Sequence, residues 1–140
     1  LIDLARQLDA LALKALDLAD RICLVTEPST HGLRDARRLL LVLRSLGYPD
    51  ERICLVINRH RSPGAVDDAS LQDMLGLRIA HRLPAQPALV DEAIGTGQPL
   101  VRLQPQAALT QALVGVAADL LHQPLPQPRG WLARLIGQPA

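Results

Sequence analysis

One pentapeptide occurs twice in this chain: Arg21-Ile22-Cys23-Leu24-Val25 returns thirty-one residues later as Arg52-Ile53-Cys54-Leu55-Val56. Both copies are continuous apolar runs rather than alternations, which is the pattern of strands covered on both faces. A single helical pattern lies between them. Two such strands and their crossover helix need about 30 residues, so the repeat predicts a β–α–β unit with parallel strands. The crossover helix is expected over residues 33–46. Ala36, Leu39, Leu40, Leu43 and Leu46 fall on one face, and Arg34, Arg37, Arg38 and Arg44 on the other. Ser29 and Thr30 are candidate N-caps and Asp35 suits the first turn. Gly47 suits the position after the helix, and Pro49 prevents its continuation.

The rest of the chain continues the alternation. Residues 1–3 read as the end of a strand, and 8–20 as a helix apolar nearly all round, hence well covered. Residues 70–75 read as a short helix, 77–83 as a strand stopped by Pro84, and 87–94 as a helix opened by Pro87 and ended by Gly95 and Gly97. Residues 107–121 form an amphipathic helix with Ala108, Leu109, Ala112, Leu113, Val116, Ala117, Leu120 and Leu121 on one face. The fold class is therefore α/β, a mostly parallel sheet with flanking helices. Residues 1–122 make one domain; 123–140 are a Pro-rich linker and a short amphipathic tail. With 140 residues, 49% hydrophobic and 21% charged, the chain can bury one core. It opens on Leu1 without Met, as a fragment or a processed start does. No run of about 18 uncharged apolar residues is present to span a membrane, and no secretory signal is visible.

In parallel sheets chemistry gathers beyond the C-terminal ends of the strands. Here those ends carry Asp3, Thr26-Glu27-Pro28, Asn58-Arg59-His60-Arg61 and Pro84-Ala85-Gln86. No Gly-x-x-x-x-Gly-Lys-Ser/Thr phosphate loop occurs, and the only lysine, Lys14, sits among Leu and Ala on a helix. His31, His60, His81 and His122 show no metal-ligand spacing, and no serine has a nucleophile-elbow context. Cys23 and Cys54 lie in apolar runs outside any CxxC, which favours small buried thiols in a reducing compartment over a disulfide or a metal site. The net charge of +1 makes no electrostatic case for nucleic acid. A solvated helix face accounts for the Arg stripe more simply than a DNA contact does.

The order of these strand ends resembles the second half of the ParA/MinD-type deviant-Walker P-loop ATPases, over residues 1–122. Asp3, then Thr26-Glu27-Pro28, then Asn58-Arg59, then Leu83-Pro84, Val90-Asp91-Glu92-Ala93 and Gly97-Gln98-Pro99-Leu100 follow that family's sequence of features. Within it the chain is most similar to the pilus-assembly proteins CpaE and TadZ, through the crossover helix at Leu33 to Arg38 and the Val56-Ile57-Asn58-Arg59 strand end.

The resemblance implies the C-terminal half of a P-loop NTPase fold, without a phosphate-binding loop of its own. It assigns Asn58 to the adenine edge, which an amide can pair bidentately. It sets Arg59 beside the base, Pro84 in the loop that frames it, and Asp3 at the Walker B-like position that supports Mg²⁺ through water. Ala5 stands where the family has Pro. Asp3 also reads as an exposed acid, Asn58 as a residue satisfying its loop, and His60 and Arg61 as a solvated loop. The family's phosphate-loop strand lies between the Asp3 strand and the Cys23 strand. Its absence leaves a gap that the chain must close, leave with residues 1–3 unpaired, or fill with another segment.

The function implied is a MinD/ParA-like ATPase acting in localisation or assembly of a tight-adherence (Flp/type IV) pilus. ATP and Mg²⁺ would be bound only in the complete protein, with no catalytic residue and no ATPase activity in this chain alone. The alternative is a non-catalytic dimerising localisation or scaffold module on the same fold. A homodimer, the pilus secretion machinery, and a cytoplasmic location peripheral at the inner membrane or cell pole complete the expectation. In the tail, Trp131, Leu132, Leu135 and Ile136 would share one helix face flanked by Arg129 and Arg134. That is the chemistry of a weak membrane-surface contact; a loose or folded-back terminus is the other reading.

Overall fold

The repeated pentapeptide forms two neighbouring parallel strands. In the computed structural model, which describes residues 1–5, 8–61 and 67–122, β1 (Ile22–Thr26) pairs with β2 (Ile53–His60) and sets Cys23 opposite Cys54. β3 (Ile79–Pro84) pairs parallel on the other edge of β2, giving the order β1-β2-β3. The helices are α1 (Ala10–Leu18), α2 (Thr30–Ser45), α3 (Asp68–Leu75), α4 (Pro87–Thr96), α5 (Leu100–Leu103) and α6 (Ala108–Leu120), with one 3-10 turn at Asp50–Arg52.

The pleat of β2 separates two cores. Ile53, Leu55 and Ile57 pack with Leu33, Ala36, Leu40 and Leu43 of α2, Leu71 and Leu75 of α3, and Leu16 of α1. Cys54 and Val56 pack on the opposite face with Leu83, Leu109, Ala112 and Val116, joined by Val90 of α4 and Leu100 of α5. Both faces of β2 are thus covered, as its unbroken apolar run requires.

α2 starts earlier than its periodicity suggested. Ser29 is the N-cap and its Oγ accepts a bond from the Gly32 N–H at 3.1 Å, so Asp35 falls beyond the first turn. Gly47 follows the helix at φ 86°, as expected of the C′ position. Leu46 lies past the helical turn and is exposed, while Tyr48 behind it is buried. α1 is capped by Asp9, whose side chain accepts from Ala12 N–H at 2.8 Å. Its C-terminal carbonyls receive Arg52: Nη2 donates to Leu16 O at 2.9 Å and also to Ala19 O. Tyr48 lies under the same guanidinium and donates its hydroxyl to Asp17 at 2.7 Å.

Several expectations fail. Residues 1–3 form no strand, and Leu1 and Ile2 are exposed. A strand needs a hydrogen-bonding neighbour, and among the described residues β1 pairs only with β2, so its other edge is left open. Val25 of β1 is 54% exposed, so only one of the two repeat copies is covered on both faces. α1 buries only Ala12 and Leu16, and leaves Leu11 and Leu18 in solvent. Gly95 lies inside α4, which ends at Gly97 with φ 65°. α6 is turned relative to expectation: Leu109, Thr110 and Ala118 are buried, while Ala108, Leu113, Ala117 and Leu121 are exposed. Its sequence is apolar nearly all round, so hydrophobicity cannot set its phase; polar contacts at its two ends do. Among the described residues no helix is long and apolar enough to cross a membrane. The tail residues Trp131, Leu132, Leu135 and Ile136, and the linker before them, lie outside the described residues.

Leu55 is fully buried and Leu41 is exposed on the outer face of α2. Leu55→Ala should lower unfolding stability by about 2–5 kcal/mol, and Leu41→Ala by less than about 0.5 kcal/mol, both measured by urea denaturation. Arg44 forks onto Asp50, Nε to Oδ1 and Nη2 to Oδ2 at 2.7 Å each, and Nη2 also reaches Gly76 O at 2.8 Å. The hydrogen bonds from Arg44 hold the Asp50 carboxyl below its ordinary range. A depressed carboxylate stabilises above its unfolded pKa of about 4 and loses that contribution as pH falls through the folded value. Asp50→Asn should therefore flatten the acid limb of the stability profile and cost under about 1 kcal/mol at neutral pH, because the pair is part-exposed.

Candidate functional site

At the C-terminal edge of the sheet the chain makes its tightest turns. β1 ends on Thr26, and α2 begins so soon afterwards that a Cβ on Gly32 would lie 2.7 Å from the Glu27 carbonyl oxygen and 3.1 Å from Thr26 Oγ1. Glycine is the residue this approach permits. Glu27 then faces Arg59 across the strand ends, with Nη1 to Oε1 at 3.1 Å.

β2 carries a bulge at this edge. Ile57 pairs with Arg82 and His60 with Pro84, so β2 spends one residue more than β3 over the interval. Arg59 takes the strained step at φ 52°, and the Asn58 Oδ1 accepts its N–H at 2.8 Å. Asn58 is half-buried, and its Nδ2 makes no hydrogen bond among the described residues. Pro84 closes β3; beyond it Ala85 N–H donates to His60 O at 2.9 Å, and Gln86 Oε1 accepts from Leu109 N–H at 2.9 Å, capping α6. Asn58, Arg59 and Pro84 thus lie along one edge. His60 is not a solvated loop residue: it belongs to β2 and meets Asp68 at 3.4 Å, and Asp68 also binds Arg82 Nε at 2.5 Å. Arg61 is exposed.

Asp3 is not brought to this edge by any element. It is exposed, and among the described residues it forms no side-chain hydrogen bond or ion pair. Lys14 is exposed on α1. The residues present thus suit an adenine edge, through the unengaged Nδ2 of Asn58, and do not suit Mg²⁺.

A second polar cluster lies at the opposite, N-terminal end of the strands, and sequence spacing did not reveal it. Cys54 of β2, His81 of β3 and Asp119 of α6 converge, with His81 Nε2 at 3.1 Å and Cys54 Sγ at 4.0 Å from Asp119 Oδ2. Arg21 Nη2 reaches the same oxygen at 3.3 Å, while its buried Nε has no partner among the described residues. Cys54 is 1% exposed. Contact with the Cys23 thiol draws the Cys54 pKa down against the effect of burial, aided by the His81 charge and the Arg21 hydrogen bond. The same contact raises the Cys23 thiol. Asp119 is held below the usual carboxylate range, first by the His81 hydrogen bond and then by the Arg21 charge.

A parallel sheet between two helical layers, with polar strand-end loops on one edge, is an α/β layer architecture. The solved structures that resemble it specify the frame. The chain matches a ParA family ATPase from Chlorobium tepidum at 27% identity and TM-score 0.70, over 81% of this chain and 46% of that one. It matches MinD of the MinC:MinD cell division complex from Aquifex aeolicus at 25% and 0.67, over 86% and 50%. The septum site-determining protein MinD from Pyrococcus horikoshii, solved with Mg-ADP, shares the fold at 23% and 0.63, over 81% and 46%. No protein-family model matches the chain, and no curated protein matches it. The chain has the ParA/MinD-type P-loop ATPase fold, and it spans about half the length of these structures.

The bulge supplies its own test. A non-glycine residue in the left-handed region costs of order 1 kcal/mol, so Arg59→Gly should hold or raise thermal stability despite losing Glu27. Arg59→Val, β-branched at positive φ, should lower it by about 1–3 kcal/mol. Equal stability of the two variants would remove the strained step from the account of this edge.

Proposed function

We propose that this chain is the C-terminal part of a MinD/ParA-like ATPase acting in localisation or assembly of a tight-adherence pilus. The observation that carries the reading is the agreement of the fold with ParA and MinD ATPases across most of this chain and about half of theirs. In the complete protein a phosphate-binding loop would come from chain outside these residues, because no such loop occurs within them.

This chain's part is the adenine side. Asn58 would pair with the base edge through its Nδ2 donors and the lone pair its backbone contact leaves free. Arg59, poised over the strand ends by its bond to Glu27, would flank the base. The Pro84 main chain, held in place by the Ala85–His60 bond, would frame it. ATP would supply the energy and the dimerising signal. A homodimer, the pilus secretion machinery as partner, and a location peripheral at the inner membrane or cell pole belong to the same proposal. So does weak membrane contact through Trp131, Leu132, Leu135 and Ile136.

The chain alone with Mg²⁺-ATP should release phosphate at the buffer rate. In the complete protein, Asn58→Ala should weaken adenine-nucleotide binding by about 1–3 kcal/mol with little change in melting temperature. Unchanged affinity would reduce Asn58 to a loop residue. Cells lacking the complete protein should lose surface pili; normal piliation would remove the pilus assignment and leave the nucleotide site standing.

A further inference from the structure

The thiol cluster lies at the opposite end of the strands from the adenine edge, and nothing in the proposed function uses it. Its members come from separate elements: Cys54 from β2, His81 from β3 and Asp119 from α6, with Cys23 of β1 in register opposite Cys54. Regular alternation from Ile79, which packs with α2 and α3, would send His81 to that same face. It does not, because β3 spends an extra residue there: Leu55 pairs with Ile79 but Val56 pairs with His81. This bulge turns His81 toward α6 and brings its Nε2 within 3.1 Å of Asp119 Oδ2.

The three ligand atoms, Sγ of Cys54, Nε2 of His81 and a carboxylate oxygen of Asp119, all lie within 4.8 Å of one another. A tetrahedral ion with bonds of about 2.0–2.3 Å requires ligand atoms about 3.3–3.8 Å apart. The measured 3.1 Å and 4.0 Å bracket that range, so small side-chain rotations close the site. We propose that Cys54, His81 and Asp119 bind a divalent transition-metal ion of the Zn²⁺ type, with the fourth position open to water.

Thiolate, imidazole and carboxylate together select such an ion over Mg²⁺ or Ca²⁺, which take oxygen ligands. One thiolate and one carboxylate balance the charge of a dication, and Arg21 remains paired with Asp119 beside it. The carboxylate has two oxygens, so it can hold Arg21 with one and the ion with the other. Cys54 is too deeply buried for a substrate to reach, which sets a catalytic Cys–His–Asp arrangement aside. His81 and Asp119 are only partly buried, so an ion has an entry side. With ligands on β2, β3 and α6, the ion would pin α6 to the sheet.

The test is titration of the full chain, kept reduced without thiol reagents, with Co²⁺ as the probe. One Co²⁺ per chain should give sulfur-to-cobalt charge transfer in the near ultraviolet and the intense visible bands of tetrahedral Co²⁺. Zn²⁺ should displace it and raise the melting temperature. His81→Gln and Asp119→Asn, at part-exposed positions and both polar, should each weaken binding by at least about tenfold. Cys54→Ser should abolish the charge-transfer band, and Cys23→Ser should leave it in place. No charge-transfer band in the wild-type chain would overturn the proposal. So would a charge-transfer band that survives His81→Gln and Asp119→Asn, since it would come from the cysteines without those two ligands. If Cys54→Ser does not fold, as judged by circular dichroism, the His81 and Asp119 variants decide the matter.

Discussion

The covering of β2 on both faces and both edges is the constraint from which the rest of this structure follows. Ile53, Cys54, Leu55, Val56 and Ile57 are all buried, and alternate residues feed the two cores. Full burial of one such aliphatic side chain is worth about 1.5–3 kcal/mol over exposure. No other strand in the sheet has a comparable run. β1 shows the contrast: it has nearly the same sequence, yet it is paired on one edge only among the described residues and leaves Val25 exposed. The same pentapeptide therefore has two fates, set by position in the sheet rather than by composition.

Around that strand the helices are oriented by polar contacts at their ends. Orphan carbonyls at a helix C-terminus attract cations, and Arg52 answers those of α1 while Arg44 reaches the turn after α3. At N-termini the acceptors are Asp9, Ser29 and Asp67. α6 lacks a capping side chain of its own and receives Gln86 from the loop after β3. This borrowed cap, with Asp119 tied to His81 and Arg21 at the other end, explains why α6 presents Thr110 and Ala118 to the sheet. A helix rich in Ala, Leu and Val has no strong apolar stripe to choose its own phase.

What could be read in the sequence was what hydrophobic period and local capping encode. The repeat located β1 and β2, the Leu/Arg split located α2, and Gly47 marked its end. The fold class followed from the order of these elements, and the ParA/MinD likeness from the residues at the strand ends. Three kinds of feature stayed hidden. Periodicity alone reads residues 1–3 as a strand end; that they stay unpaired is only one of three outcomes the missing neighbour leaves open. The phase of α6 depends on contacts from distant residues. The His60–Asp68–Arg82 set and the Cys54–His81–Asp119 cluster depend on bulges, each of which shifts side-chain parity by one. Spacing along the chain is the wrong coordinate for residues brought together by register.

The two polar regions are joined by the strand that organises the fold. Cys54, Val56 and Asn58 alternate onto one side of β2 by the pleat, and Cys54 and Asn58 are four residues apart, about 13 Å along the strand. Between them Val56 is locked in the core with Leu83 and Leu109. Just past Asn58 the strand gives way at Arg59, whose left-handed backbone is the most strained point of this edge. A rigid run ending in a bulge fixes where Asn58 stands while letting the residues beyond it turn toward Glu27 and Pro84. α6 spans the two regions: it is held by Asp119 at the Cys54 end and by Gln86 at the end where Pro84 closes β3.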